Sequence, residues 1–79
     1  MRVSVYTLTK TLFDDAALSV TASTITGEIT ILNHHRALIT KLSEGLLKIV
    51  DEKKEEHFIQ TKGGFTEVQG DNTVRILSD

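Results

Sequence analysis

GGFTEVQGDNTVRILSD, residues 63–79, is the stretch on which the fold turns. Phe65 to Gln69 and Thr73 to Leu77 are two short runs rich in apolar and β-branched residues. Between them stand Gly70, Asp71 and Asn72, residue types that supply the backbone conformations a hairpin turn demands. Gly63 and Gly64 precede the first run and provide a bulge or positive-φ positions. A phosphate-binding loop needs Lys-Ser/Thr after its glycines and opens a helix, whereas this pair opens a strand.

The same punctuation continues upstream. His57 to Lys62 reads as a strand. Asp51 to Glu56 is a run of charged residues of mixed sign, which reads as an exposed hairpin end. Gly45 starts a strand with Leu47 and Ile49 on one face. Ala37 to Leu42 returns to the core as a short strand or a single helical turn, and Asn33 to Arg36 is a polar loop. After a break at Gly27, Ile29 and Ile31 alternate with Glu28 and Thr30. Thr11 to Ala22 is an extended segment or pair. Asp14 and Asp15 are expected to interrupt it at a turn, after which Leu18, Val20 and Ala22 share a face. At the start, Val3 and Val5 face one way and Ser4 and Tyr6 the other. Seven or more strands at spacings of about 8–12 residues predict an all-β domain, a small antiparallel sandwich or closed barrel of two packed sheets. Composition agrees: Val, Ile and Thr make up 24 of 79 residues, alanine contributes only 4 and proline none.

Residues 1–79 read as a single domain without linker or repeat. A chain of this size buries only about 60% of its unfolded surface, so the core is thin. With no cysteine, disulfides, thiolate metal sites and a cysteine nucleophile are excluded. The formal net charge of −2 offers no basic excess for a phosphate backbone. Tyr6, Phe13, Phe58 and Phe65 are not interleaved with basic residues, so no nucleic-acid stacking platform is expected. The three phenylalanines are read as core. His34 and His35 are adjacent and diverge in extended backbone, and His57 lies on another strand, so no metal site is expected. Asp14 and Asp15 diverge for the same reason and make a poor acid–base pair. No serine sits in Gly-x-Ser-x-Gly. No apolar run reaches the length of a membrane helix, and the first residues lack a secretory pattern. These readings place the chain inside a cell, as an interaction module without catalytic residues.

Five segments in order carry a family pattern: KTLFDDAALSVTAS (10–23), GEITILNHHRALITKL (27–42), GLLKI (45–49), GGFTEV (63–68) and TVRILSD (73–79). Together they resemble the N-terminal domain of the epsilon subunit of F-type ATP synthases. The resemblance implies a flattened β-sandwich that does no bond chemistry. It implies a central-stalk role, with the domain docked on the gamma subunit and the c-ring so that ion-driven rotation reaches the catalytic head. It implies a place on the cytoplasmic face of the bacterial inner membrane, without insertion into it, and a monomer when isolated. By position, Glu28 and His35 match residues that face the c-ring. Thr7, His35, Leu38, Ile39 and Thr40 match the segments against gamma. The chain has Thr30 where the family usually has glycine, and Asn33 and Ala37 where it usually has proline. Losing both prolines is expected to loosen the loop between Leu32 and Leu38. Longer members continue into a C-terminal helical hairpin. This sequence stops at Asp79, so neither hairpin-mediated inhibition nor a nucleotide site or other cofactor is expected. The alternative is a free-standing sandwich that binds a small ligand or peptide. An exposed apolar patch favours the stalk reading, and a deep apolar pocket favours the alternative.

Overall fold

Alternation along each strand puts one side of it inside. Val3 and Val5, Leu47 and Ile49, Thr66 and Val68, and Val74, Ile76 and Ser78 are buried, and the residues between them are not. The computed structural model describes residues 1–79. It contains β1 (Arg2–Tyr6), β2 (Thr11–Thr24), β3 (Gly27–Leu32), β4 (Leu38–Leu42), β5 (Gly45–Asp51), β6 (Glu56–Thr61), β7 (Gly64–Gln69) and β8 (Thr73–Ser78). The segment left open between strand and helical turn is therefore a strand, β4.

Hydrogen-bonded neighbours run β1-β8-β7-β4-β2-β5-β6, with β3 also on β2, and a β1–β2 pairing closes β1, β8, β7, β4 and β2 into a ring. Every pairing is antiparallel except β1–β8, which sets Val3 beside Val74 and Val5 beside Ile76 in parallel. The sheet is thus mixed, because the first and last strands meet with no turn to reverse them. A single cluster of 12 buried apolar residues draws on β1, β2, β3, β4, β5, β7 and β8 and fills the interior.

β2 departs from the expected turn at Asp14-Asp15. It runs unbroken through both for 14 residues. Aspartate is disfavoured in strands, but both residues are exposed here and stay solvated. Asp14 faces outward, with Arg2 Nη2 at 2.9 Å and the Ser4 hydroxyl donating to it at 3.1 Å. The irregularities lie on either side of them: the register against β1 shifts at Leu12, between the Phe13–Val5 and Thr11–Tyr6 pairs, and the register against β5 shifts between Ala17 and Ser19. Ala17 is buried before the shift; Val20, Ala22 and Thr24 are buried after it. Leu18 is the extra residue, and it reverses which parity faces inward.

Two of the three phenylalanines are not core. Phe58 is 58% exposed and Phe65 53%. Both share strand parity with polar outward residues, Glu56 and Gln60 in β6 and Glu67 in β7, while Ile59, Thr66 and Val68 take the inner positions. Phe13 does pack against the core, with its ring centroid 5.1 Å from that of His57.

The charged run forms the β5–β6 turn around Asp51. Its Oδ1 accepts the backbone N–H of Lys53 at 2.9 Å and of Glu55 at 3.0 Å. His57 Nε2 donates to Oδ2 at 2.8 Å. The His57 bond first, and the Glu55 amide next, hold the Asp51 carboxyl below its ordinary value of 3.8. At the other sequence signal, Gly64 has φ +124°, and a Cβ there would lie 1.9 Å from the carbonyl oxygen of Leu77.

Two stability outcomes follow. Gly64→Ala should lower stability by about 2 kcal/mol or more, through the backbone clash and the left-handed φ, while Gly70→Ala, with open space around it, should be near neutral in the same urea titration. The Asp51 contribution is present above the ordinary carboxylate value and is lost as pH falls through the lower native one. Melting temperature plotted against pH should therefore fall less steeply below about pH 4 in Asp51→Asn than in the parent.

Candidate docking surface

Outward residues of β4, β7, β8 and β1 line up in rows across the ring. One row runs Lys41, Phe65, Leu77, Tyr6 and Thr11, each opposite the next. The adjoining row runs Ile39, Glu67, Arg75, Ser4 and Asp14. Ile39 is thus diagonal to Phe65, a spacing of about 7–8 Å that large side chains bridge. Ile39 is 70% exposed and Leu77 39%, so with Phe65 they form an uncovered apolar strip with charged residues beside it.

The strip continues into the β1–β2 turn. Thr7, Leu8, Thr9, Leu77, Ser78 and Asp79 line a surface hollow of about 290 Å³. Thr7 braces the turn: its N–H donates to the Lys10 carbonyl at 2.8 Å, and its hydroxyl accepts from the N–H of Thr9 at 3.3 Å and of Lys10 at 3.2 Å. Leu8, 94% exposed, is held outward at the tip of that braced turn. Contiguous exposed apolar residues rimmed by charge mark a surface that a partner covers.

Among the residues singled out from sequence, the structure brings Thr7 and Ile39 onto this one surface, through Phe65, Leu77 and Leu8. Those three were missed. The signal was parity: Phe65 shares a face with Glu67, and Leu77 with Arg75. Leu38 and Thr40 have the opposite parity to Ile39. Leu38 packs against the core, and Thr40 is half-buried opposite Thr66. His35 is exposed in the β3–β4 loop, its Nδ1 2.8 Å from the Arg36 carbonyl. Glu28 is exposed near the start of β3, opposite Ser23. The intervening strand, at about 3.4 Å per residue, separates Glu28 from His35, so the two form no single site.

The remaining titratable groups do not converge. No group of three or more metal-capable side chains comes together. A second hollow of about 270 Å³ is lined by Asp15, Ala16, Asp51, Glu52, Lys53 and Glu55, a mixture of charges without an apolar floor.

A family model described as "ATP synthase, Delta/Epsilon chain, beta-sandwich domain" matches residues 1–79. The ATP synthase epsilon chain of Chromohalobacter salexigens is 36% identical over 70 residues, 89% of this chain and 49% of the relative. That of Polynucleobacter necessarius is 33% identical over 79 residues, 100% of this chain and 56% of the relative. The chain thus spans about half the length of these curated relatives. A chain of the Tetrahymena thermophila mitochondrial ATP synthase central stalk/c-ring structure superposes with a TM-score of 0.83 at 29% identity, covering 99% of this chain and 62% of that one. One from the Euglena gracilis mitochondrial ATP synthase OSCP/F1/c-ring structure reaches a TM-score of 0.90 over 96% of this chain and 48% of that one; at 21% identity it speaks to fold alone.

An outward strip contributes little to folding. Ile39→Ser and Phe65→Ser should each change unfolding free energy by about 1 kcal/mol or less, whereas Leu47→Ala, from the buried cluster, should cost about 2–5 kcal/mol. Chemical denaturation of the three variants checks the contrast.

Proposed function

The chain belongs to the ATP synthase delta/epsilon β-sandwich family, and from that premise we propose that it acts as a non-catalytic central-stalk subunit. It docks on the gamma subunit and the c-ring and helps ion-driven rotation reach the catalytic head. The observation that carries the reading is the apolar strip. It joins Thr7 to Ile39, two positions that the family pattern sets against gamma, through residues that the pattern did not supply.

In this reading gamma covers Ile39, Phe65, Leu77 and Leu8. Leu38 and Thr40 hold β4 from inside, so that Ile39 is presented outward. Glu28 and His35 are separate polar contacts at the two ends of β3. Glu28 makes no ion pair within the domain and is available to the polar loops of the c-ring. His35 reaches both c-ring and gamma. The isolated domain is a monomer. It works at the cytoplasmic face of the bacterial inner membrane, without inserting into it, in keeping with its bacterial relatives. The ligand-binding alternative needs a deep apolar pocket. Here the interior is filled by the buried cluster, and the two hollows are on the surface.

Calorimetric titration into the cognate gamma subunit tests the proposal. The parent chain should bind one to one. Phe65→Ser and Ile39→Ser should each weaken binding by about tenfold or more, as truncating a buried interface anchor does. Glu28→Ala should leave binding to gamma alone unchanged and weaken binding to a gamma–c-ring assembly. Equal affinity for gamma in the parent and in Phe65→Ser would remove the strip from the interface.

A further inference from the structure

The β3–β4 loop, residues 33–37, has no buried residue and neither glycine nor proline. It nevertheless contains a backbone conformation that an L residue adopts reluctantly, His34 at φ +63°. Such a conformation persists only where its surroundings hold it. One backbone bond, from the His35 N–H to the Leu32 carbonyl at 3.2 Å, closes a β-turn with His34 at its third position, where a positive φ can be accommodated.

A second restraint comes from the far end of the sequence. Asn72, itself at φ +66° in the β7–β8 turn, accepts the His34 backbone N–H on its Oδ1 at 2.7 Å. The Asn72 amide donates to Asn33 Oδ1 at 3.3 Å, and the same Asn33 oxygen accepts from the amine of Met1. The Asn72 carbonyl in turn accepts the Arg2 N–H at 3.2 Å, tying the turn to β1. Two asparagine side chains therefore connect the loop, the β7–β8 turn and the first strand. Each sits where its donors and acceptors are already oriented by strand ends.

We propose that Asn33 and Asn72 form a clasp that holds the His34 backbone and thereby positions His35 for its partner. They are positioning residues that touch no partner themselves. The proposal rests on the docking role inferred above. It also gives a loop that lacks the prolines of its family a restraint of another kind, hydrogen bonds to side chains in place of restricted φ angles.

The test uses Asn72→Gly, which removes the amide and keeps a residue suited to positive φ. Its control is His34→Gly, which retains the backbone N–H that Asn72 binds. Hydrogen exchange on the free chain and titration against the gamma–c-ring assembly are read together. In Asn72→Gly, exchange at the His34 and His35 amides should rise about tenfold, with the melting temperature nearly unchanged, and affinity should fall about tenfold. His34→Gly should leave exchange at His35 and affinity close to the parent. Asn33→Ala should repeat the loss by removing the other half of the clasp. An Asn72→Gly chain that keeps its loop protected, or binds like the parent, overturns the clasp alone. A parent chain that does not bind the assembly overturns the docking role and the positioning role with it.

Discussion

One strand has to serve both the closed ring and the strands beyond it. β2 pairs with β1 over its first half, with β3 and β5 over its second, and touches β4 at its last residue, Thr24 opposite Leu42. A regular strand of 14 residues keeps one parity throughout, so it cannot place Phe13 and Ala17 inside and then Val20, Ala22 and Thr24 inside as well. The extra residue at Leu18 makes both halves compatible. Without it, β3 and β5 would meet β2 with their apolar faces turned to water, and the ring would have no partner for the end of β4.

Much of the fold was legible because hairpins are local. The Gly70-Asp71-Asn72 turn, the Asp51–Glu56 turn and the break at Gly27 each lie within a few residues of the strands they join, and turn chemistry marks all three. The bulge was not legible. No glycine marks it, and Ala17-Leu18-Ser19 reads as ordinary strand. Residue type alone suggests a turn at the aspartates, but face decides: on an outer face Asp14 is satisfied by Arg2 and Ser4. The same holds for Phe58 and Phe65. Size argued for the core, whereas parity with Glu56, Gln60 and Glu67 argued for the surface, and parity prevails where Val, Ile and Leu already fill the inside.

The candidate surface was half legible. Ile39 and Thr7 came from the family pattern, but nothing in that pattern joins them. Their connection runs through β7 and β8, and register between strands distant in sequence cannot be read from spacing. The asparagine clasp was hidden in the same way. Asn33 and Asn72 are 39 positions apart, and each alone looks like a loop or turn residue. The expectation of a looser loop followed from the unfolded-state effect of proline. The contacts of Asn72 with His34 and Asn33 lie outside what that effect considers.

Size explains why the surface carries what function there is. With a thin interior already closed by twelve residues, the domain has no room for an enclosed site. Single exposed apolar residues are ordinary on any protein. Ile39, Phe65 and Leu77 are different because they are adjacent across three strands, and Leu8 extends them on a turn that cannot easily fold back over its own apolar neighbour. Closure of the ring adds the mechanical half of the argument. With β1 bonded to both β2 and β8, the ring leaves few unpaired strand edges. Under the proposed stalk role, that closure is what would keep the shape of the domain between contacts on one sheet face and contacts at the ends of β3.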